Sequence, residues 1–257
     1  MKFQVFLAVG FSGVLLSSVA HADEIEILAG DLPPMIFADG SGREAELIKG
    51  ALERCGHTVR FTVQPFTRHW KSYEAGTGDA VATVPIGMPL PGTATSAYIE
   101  YQNGVSYLAG SEASFSSLDD LAGRSVLAFK GASDILPGLG EASAGFSEYR
   151  EVTDQITQSR MLFGGRVDAI IGDGMLFAEY NRQLGSESNL GFDPAQPVSF
   201  QAVFDPSPYG LVFRDAALAA DFERCFGEMK ADGSAEAINK AWVEKYRETL
   251  GTSYLGY

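Results

Sequence analysis

Gly76-Thr77-Gly78-Asp79-Ala80-Val81-Ala82 and Gly165-Arg166-Val167-Asp168-Ala169-Ile170-Ile171 spell the same element twice. Each stretch follows an amphipathic run, residues 66–75 and 153–163, and each opens a short apolar run of strand type. A helical period, a Gly stop, an Asp and a buried strand make one βαβ-type unit. One copy predicts an α/β domain. Two copies, far apart, predict two similar lobes with a cleft between them, a usual place for a small ligand.

Reading outward from the first copy, residues 24–29 alternate as a strand and 30–42 form a loop in which Pro33-Pro34 bars a helix. Residues 43–55 read as an amphipathic helix stopped by Gly56, and 58–63 as a second strand. This β-α-β-α-β order predicts a mostly parallel sheet with helices on both faces. Residues 85–95 are rich in Pro and Gly, and 98–109 run extended out of the first lobe. The second lobe follows as strand 125–129, the turn Gly131-Ala132-Ser133, strand 146–152, helix 153–163, strand 168–171 and helix 175–184. After extended segments at 198–204 and 210–213, residues 216–246 hold two helices divided at Asp232-Gly233. The roughly 45 residues after Pro208 are too few to bury a core alone. They are expected to fold back on the first lobe. The organisation is therefore a leader at 1–22, lobe I at 23–107 and 204–257, and lobe II at 108–203.

The leader has a short positive start at Lys2, an apolar stretch at 5–16 and the small-residue site Ala20-His21-Ala22, so the mature chain is expected to begin at Asp23. No Cys adjoins that point and no twin Arg precedes the apolar stretch. This predicts Sec export to the periplasm as a soluble protein and not as a lipoprotein.

With 33 acidic against 19 basic residues the formal net charge is −14. Such a chain is unsuited to nucleic acid and to anionic lipid, and it leaves room for a cationic or zwitterionic ligand. Cys55 and Cys225 both fall on apolar helical faces, where they are either bridged or buried as free thiols. Beyond the leader only His57 and His69 remain, without metal-ligand spacing, so neither a metal nor a cofactor is expected. No nucleophile elbow, P-loop or dinucleotide fingerprint is present.

Six places could carry binding chemistry. Gly131-Ala132-Ser133 links a strand to a helix, where free N–H groups suit an anion, or where Ser133 is simply a cap. Asp173 lies just past the second repeat strand, where a carboxylate suits an ammonium group or caps helix 175–184. Asp31 and Ile86 each follow a strand end. Arg68 and Trp70 start helix 66–75: Arg suits a carboxylate or phosphate unless it is a surface charge, and Trp suits stacking unless it is core. Tyr209 offers a further apolar face.

In order and spacing the chain resembles the type 2 periplasmic solute-binding proteins, and within them the amino-acid-binding branch (family 3) of ABC importers. The features that carry the resemblance are Pro33-Pro34 with the following helix, the two Gly-x-x-Asp-Ala segments, and 117–126 as entry to the second lobe. Lys130-Gly131-Ala132-Ser133, Tyr209-Gly210-Leu211-Val212-Phe213-Arg214, Asp232-Gly233 and Ala241-Trp242 complete it. The resemblance implies a non-catalytic monomer that closes on a small polar ligand, amino-acid-like or amine-containing, for an ABC permease, or a sensor that reports to a membrane partner. It implies that Asp173 holds an ammonium and that the Gly131 turn helps hold a carboxylate. It also places the family's carboxylate-clamping Arg at Pro91 and a usually polar ligand contact at Ile86, so either another cation replaces that Arg or the ligand is not an ordinary α-amino acid. Arg68 and Lys130 are the candidate replacements for the missing cation. The same scaffold includes a periplasmic dehydratase of prephenate-like substrates, a chemistry that needs the missing Arg.

Overall fold

The computed structural model describes residues 24–110 and 115–257, so the leader and its cleavage point lie outside the described residues. The first lobe runs β1 (Ile25–Gly30), α1 (Arg43–Arg54), β2 (Val59–Gln64), α2 (Arg68–Glu74), β3 (Ala80–Pro85), β4 (Thr93–Ala94) and β5 (Ile99–Tyr101). The second runs β6 (Asn103–Leu108), β7 (Ser125–Phe129), the one-turn helices α3 (Ala132–Ile135) and α4 (Leu139–Ala142), β8 (Glu148–Val152), α5 (Ile156–Phe163), β9 (Ala169–Asp173), α6 (Gly174–Leu184) and β10 (Val198–Ala202). The chain then returns through β11 (Ser207–Phe213), α7 (Ala216–Ala231), α8 (Ser234–Lys245) and α9 (Arg247–Leu250).

Two sheets result, ordered β2-β1-β3-β11-β4, with β5 also on β11, and β10-β6-β9-β7-β8. In each, the strands of the repeat units pair in parallel and the crossing strands pair antiparallel. The expected α/β architecture of two lobes is present.

The repeated Asp does the same local work in both lobes. The Glu26 N–H donates to Asp79 Oδ2 and the Asp79 N–H donates back to Glu26 O, each at 2.9 Å. The Ser125 N–H donates to Asp168 Oδ2 at 2.7 Å, and the Asp168 N–H donates to Ser125 O at 2.9 Å. Each Asp thus ties the start of its strand to the start of the neighbouring one. Both pairs sit at the amino edge of the sheet, which leaves the carboxyl edge to the ligand crevice.

In the first lobe α1 buries Leu47, Ile48, Ala51 and Leu52 in one cluster with Phe222, Phe226 and Met229 of α7. Burying a side chain of that size contributes about 1.5–3 kcal/mol. Cys55, which caps α1, is bridged to Cys225 of α7, so of the two open readings the disulfide is the one observed. In the second lobe Val105, Val126, Ala128, Ala169 and Ile171 form the centre of a separate cluster.

Two expectations are corrected. The chain leaves the first sheet at Gln102, earlier than residue 107, because β6 is already paired with β9 and β10. The tail does not pack on the first lobe alone. Its α7 and α8 do, but α9 packs against α6 and β10 of the second. The fully buried Tyr254 lies 6.3 Å, ring to ring, from Phe200 of β10. A large aromatic ring with one polar atom is favoured where the ring is dry and the hydroxyl finds a partner, and this position supplies both.

Candidate functional site

The carboxyl ends of the strands from both lobes meet around one cavity. Leu32, Phe66, Thr83, Tyr101 and Tyr209 line it from the first lobe, and Asn103, Phe129, Gln155, Asp173 and Leu176 from the second. Its volume is about 20 Å³, room for a single water-sized group. Any larger solute enters only when the lobes part. The Tyr209 hydroxyl, the Gln155 side-chain amide and Asn103 Oδ1 make no hydrogen bond among the described residues, although all three residues are buried. These three unpaired atoms belong to residues that line the cavity, so they are open to a hydrogen bond from a solute. The lining holds one carboxylate, Asp173, and neither Lys nor Arg.

Asp173 ends β9 and caps α6, so both readings of the residue meet in one side chain. Its Oδ1 accepts from the N–H groups of Met175 at 2.9 Å and Leu176 at 3.1 Å. Its Oδ2 accepts from the Gln102 N–H and the Tyr254 hydroxyl, each at 2.9 Å. Burial pushes the carboxyl up to about 6, against the pull of these donors and of Arg43. Arg43, buried in the first turn of α1, reaches the Tyr254 hydroxyl from the other side at 3.3 Å.

Behind the cavity lies a second buried carboxylate. Glu44 of α1 accepts from Thr83 Oγ1 at 3.0 Å and from the hydroxyls of Tyr98 and Tyr101. Burial raises this carboxyl, and the three hydroxyls oppose that. Thr83 reaches Glu44 from a left-handed backbone, φ +56°, where the pairing of β3 with β11 slips register. For a β-branched residue such a conformation costs on the order of 1–3 kcal/mol.

The Gly131 turn is filled by the chain itself. Glu151 of β8 accepts from the Gly131 N–H at 2.8 Å, the Ser133 N–H at 2.9 Å, the Ser133 hydroxyl at 2.7 Å and the Tyr149 hydroxyl at 2.9 Å. Burial works against the charge, but these donors win and hold the carboxyl down at about 2. Lys130, largely exposed, adds a longer ion pair at 3.8 Å. Ala132 is buried beneath the turn.

Of the other expected residues, Tyr209 lines the cavity. Trp70 does not: it is packed with Leu28, Tyr73, Val81, Val84 and Val212 in the first lobe. Arg68 is exposed and makes no ion pair among the described residues. Ile86, 51% exposed, lines an outer groove of about 650 Å³ with Ile135, Pro137, Phe204 and Tyr209. Asp31 stands outside the cavity, and its carboxyl is raised first by partial burial and then by the like charge of Asp154 from the other lobe. Sequence reasoning missed Phe129 and Gln155, though the strand-end rule that found Asp173 reaches the end of β7 and the residues after β8 as well. Thr83 and Asn103 carry no such signal.

No family model matches the chain, and no curated protein matches it. Solved structures do. An ancestral arginine-binding protein bound to arginine is 22% identical, with 85% of this chain and 97% of that one covered and a TM-score of 0.65. A histidine kinase sensor domain with similarity to periplasmic binding proteins is 21% identical, covers 86% and 96%, and has a TM-score of 0.68. The GluR0 ligand-binding core in complex with L-glutamate is 17% identical, covers 86% and 99%, and has a TM-score of 0.70. The chain has the two-lobe fold of the amino-acid-binding periplasmic proteins.

Proposed function

We propose that this protein is a periplasmic solute-binding protein that closes its lobes on a small amine-bearing, positively charged solute and presents it to an ABC-type importer. The observation that carries this reading is the charge layout. The cavity holds one buried carboxylate and no cation, and the turn suited to a ligand carboxylate is occupied by Glu151. An anionic solute would be buried without a partner, which costs several kcal/mol. A cation is answered by the negative charge of Asp173.

A second reading, ligand sensing through a membrane partner, is favoured by the fold shared with a kinase sensor domain. Adjoining permease genes support delivery, and an adjoining kinase gene supports sensing. Catalysis on prephenate-like dicarboxylates fits poorly with a cavity that brings no Lys or Arg to its lining. Incubation with prephenate or arogenate is expected to give no turnover.

The experiment is native mass spectrometry of the purified protein, followed by identification of what leaves on unfolding. A solute with a positive charge and no free carboxylate supports the reading. A released anion overturns it.

A further inference from the structure

Asp173 brings charge to the cavity but no free lone pair. An ionised carboxylate has about four acceptor sites, and the donors from Met175, Leu176, Gln102 and Tyr254 occupy them. A primary ammonium carries three N–H donors, each needing an acceptor. At Asp173 it would have to displace a donor that the fold holds in place. An N-methylated ammonium has no such need. It is stabilised by negative potential and by the faces of aromatic rings.

Four aromatic rings share the cavity lining with the carboxylate. Phe66, Tyr101 and Tyr209 line the cavity from one lobe and Phe129 from the other, so closure brings aromatic walls together from both sides. Tyr101 and Tyr209 form a tilted pair, with centroids 4.7 Å apart and planes at 51°. Outside the cavity, Asp31 of the first lobe feels the like charge of Asp154 of the second. Tyr209 also belongs to the outer groove of Ile86, Ile135, Pro137 and Phe204, which Ser116, Asp205 and Ser207 line as well.

We propose that the cleft takes an N-methylated organic cation, tertiary or quaternary, held among Phe66, Tyr101, Phe129 and Tyr209 beside Asp173. This rests on the cationic reading of the same cavity. The free polar atoms of Asn103 and Gln155 then meet a hydroxyl or amide elsewhere on the solute.

The test is calorimetric titration with ethanolamine, N,N-dimethylethanolamine and choline, a series that changes N-methylation at a constant charge. Affinity is expected to rise about tenfold or more from the first to the last, as ring contacts replace N–H donors. Phe129→Leu, which removes one ring, is expected to lose about tenfold for choline. Its melting curve establishes that the variant is folded. Ethanolamine binding as tightly as choline, or tighter, overturns the aromatic seat and leaves the cationic reading standing. Binding by none of the three overturns both.

Discussion

Ser133 donates two hydrogen bonds to Glu151, one from the Ser133 N–H at 2.9 Å and one from the Ser133 hydroxyl at 2.7 Å. A carboxylate from the chain therefore fills the turn whose N–H groups suit an anion. Glu151→Ala should reopen that seat. The variant is expected to gain measurable calorimetric binding of acetate or glycine that the parent lacks. If the variant is as indifferent to anions as the parent, the turn is structural only.

The same contact predicts an acid-dependent loss of stability. The Glu151 carboxyl lies at about 2 when folded, below its ordinary 4.5. A depressed carboxyl stabilises the fold above the unfolded value and stops doing so as pH falls through the folded one. Glu151→Gln should cost about 1–3 kcal/mol at pH 7. Denaturant unfolding should show that difference shrinking between about pH 4.5 and 2.

Asp173 runs the other way. Its carboxyl is raised from 3.8 to about 6, so its contribution to stability is greatest below the unfolded value and is lost as pH rises through about 6. For a bound cation the consequence is opposite in sign, because only the ionised form attracts it. Cation affinity should fall as pH drops from 7.5 to 5, with an inflection near 6. Asp173→Asn, which retains an oxygen to cap α6, should bind about tenfold more weakly at pH 7.5 and show no inflection. A flat profile in the parent would remove Asp173 from the site.

Tyr254→Phe keeps the buried ring and deletes the hydroxyl between Asp173 and Arg43. Leaving those buried groups short of a partner should cost about 1–3 kcal/mol in denaturant unfolding. It also frees one acceptor site on Asp173. The preference for choline over ethanolamine should narrow in this variant.

The Cys55–Cys225 bridge closes a loop spanning 170 residues. Cys55→Ser with Cys225→Ser should lower stability by about 3–5 kcal/mol, the upper figure being the chain-entropy value for so long a loop. Unfolding in denaturant measures it, and binding should survive.

The fold was readable because its cues are local. A Gly stop, an Asp and an alternating or apolar run lie within a few residues of each other in both repeats, and each became an element. The Asp173 cap was readable for the same reason, since Met175 and Leu176 follow it directly. Its other two donors, from Gln102 and Tyr254, come from distant chain and left no local trace. The turn at Gly131 was visible, but its occupant was not. That depends on the parallel register of β7 with β8, which sets Ala128 opposite Glu151 and brings a carboxylate alongside the turn. Trp70 could have faced solute or core, and the packing around Leu28 and Tyr73 decided for the core.

Arg43, Tyr254 and Asp173 string together three segments that two crossing strands alone would leave independent. An opening that draws α6 away from α1 would break Tyr254 from one neighbour or the other, so this residue is a tether between the lobes. Clipping that tether should speed release more than it slows capture, and a protein so trimmed would exchange its solute quickly while still recognising it.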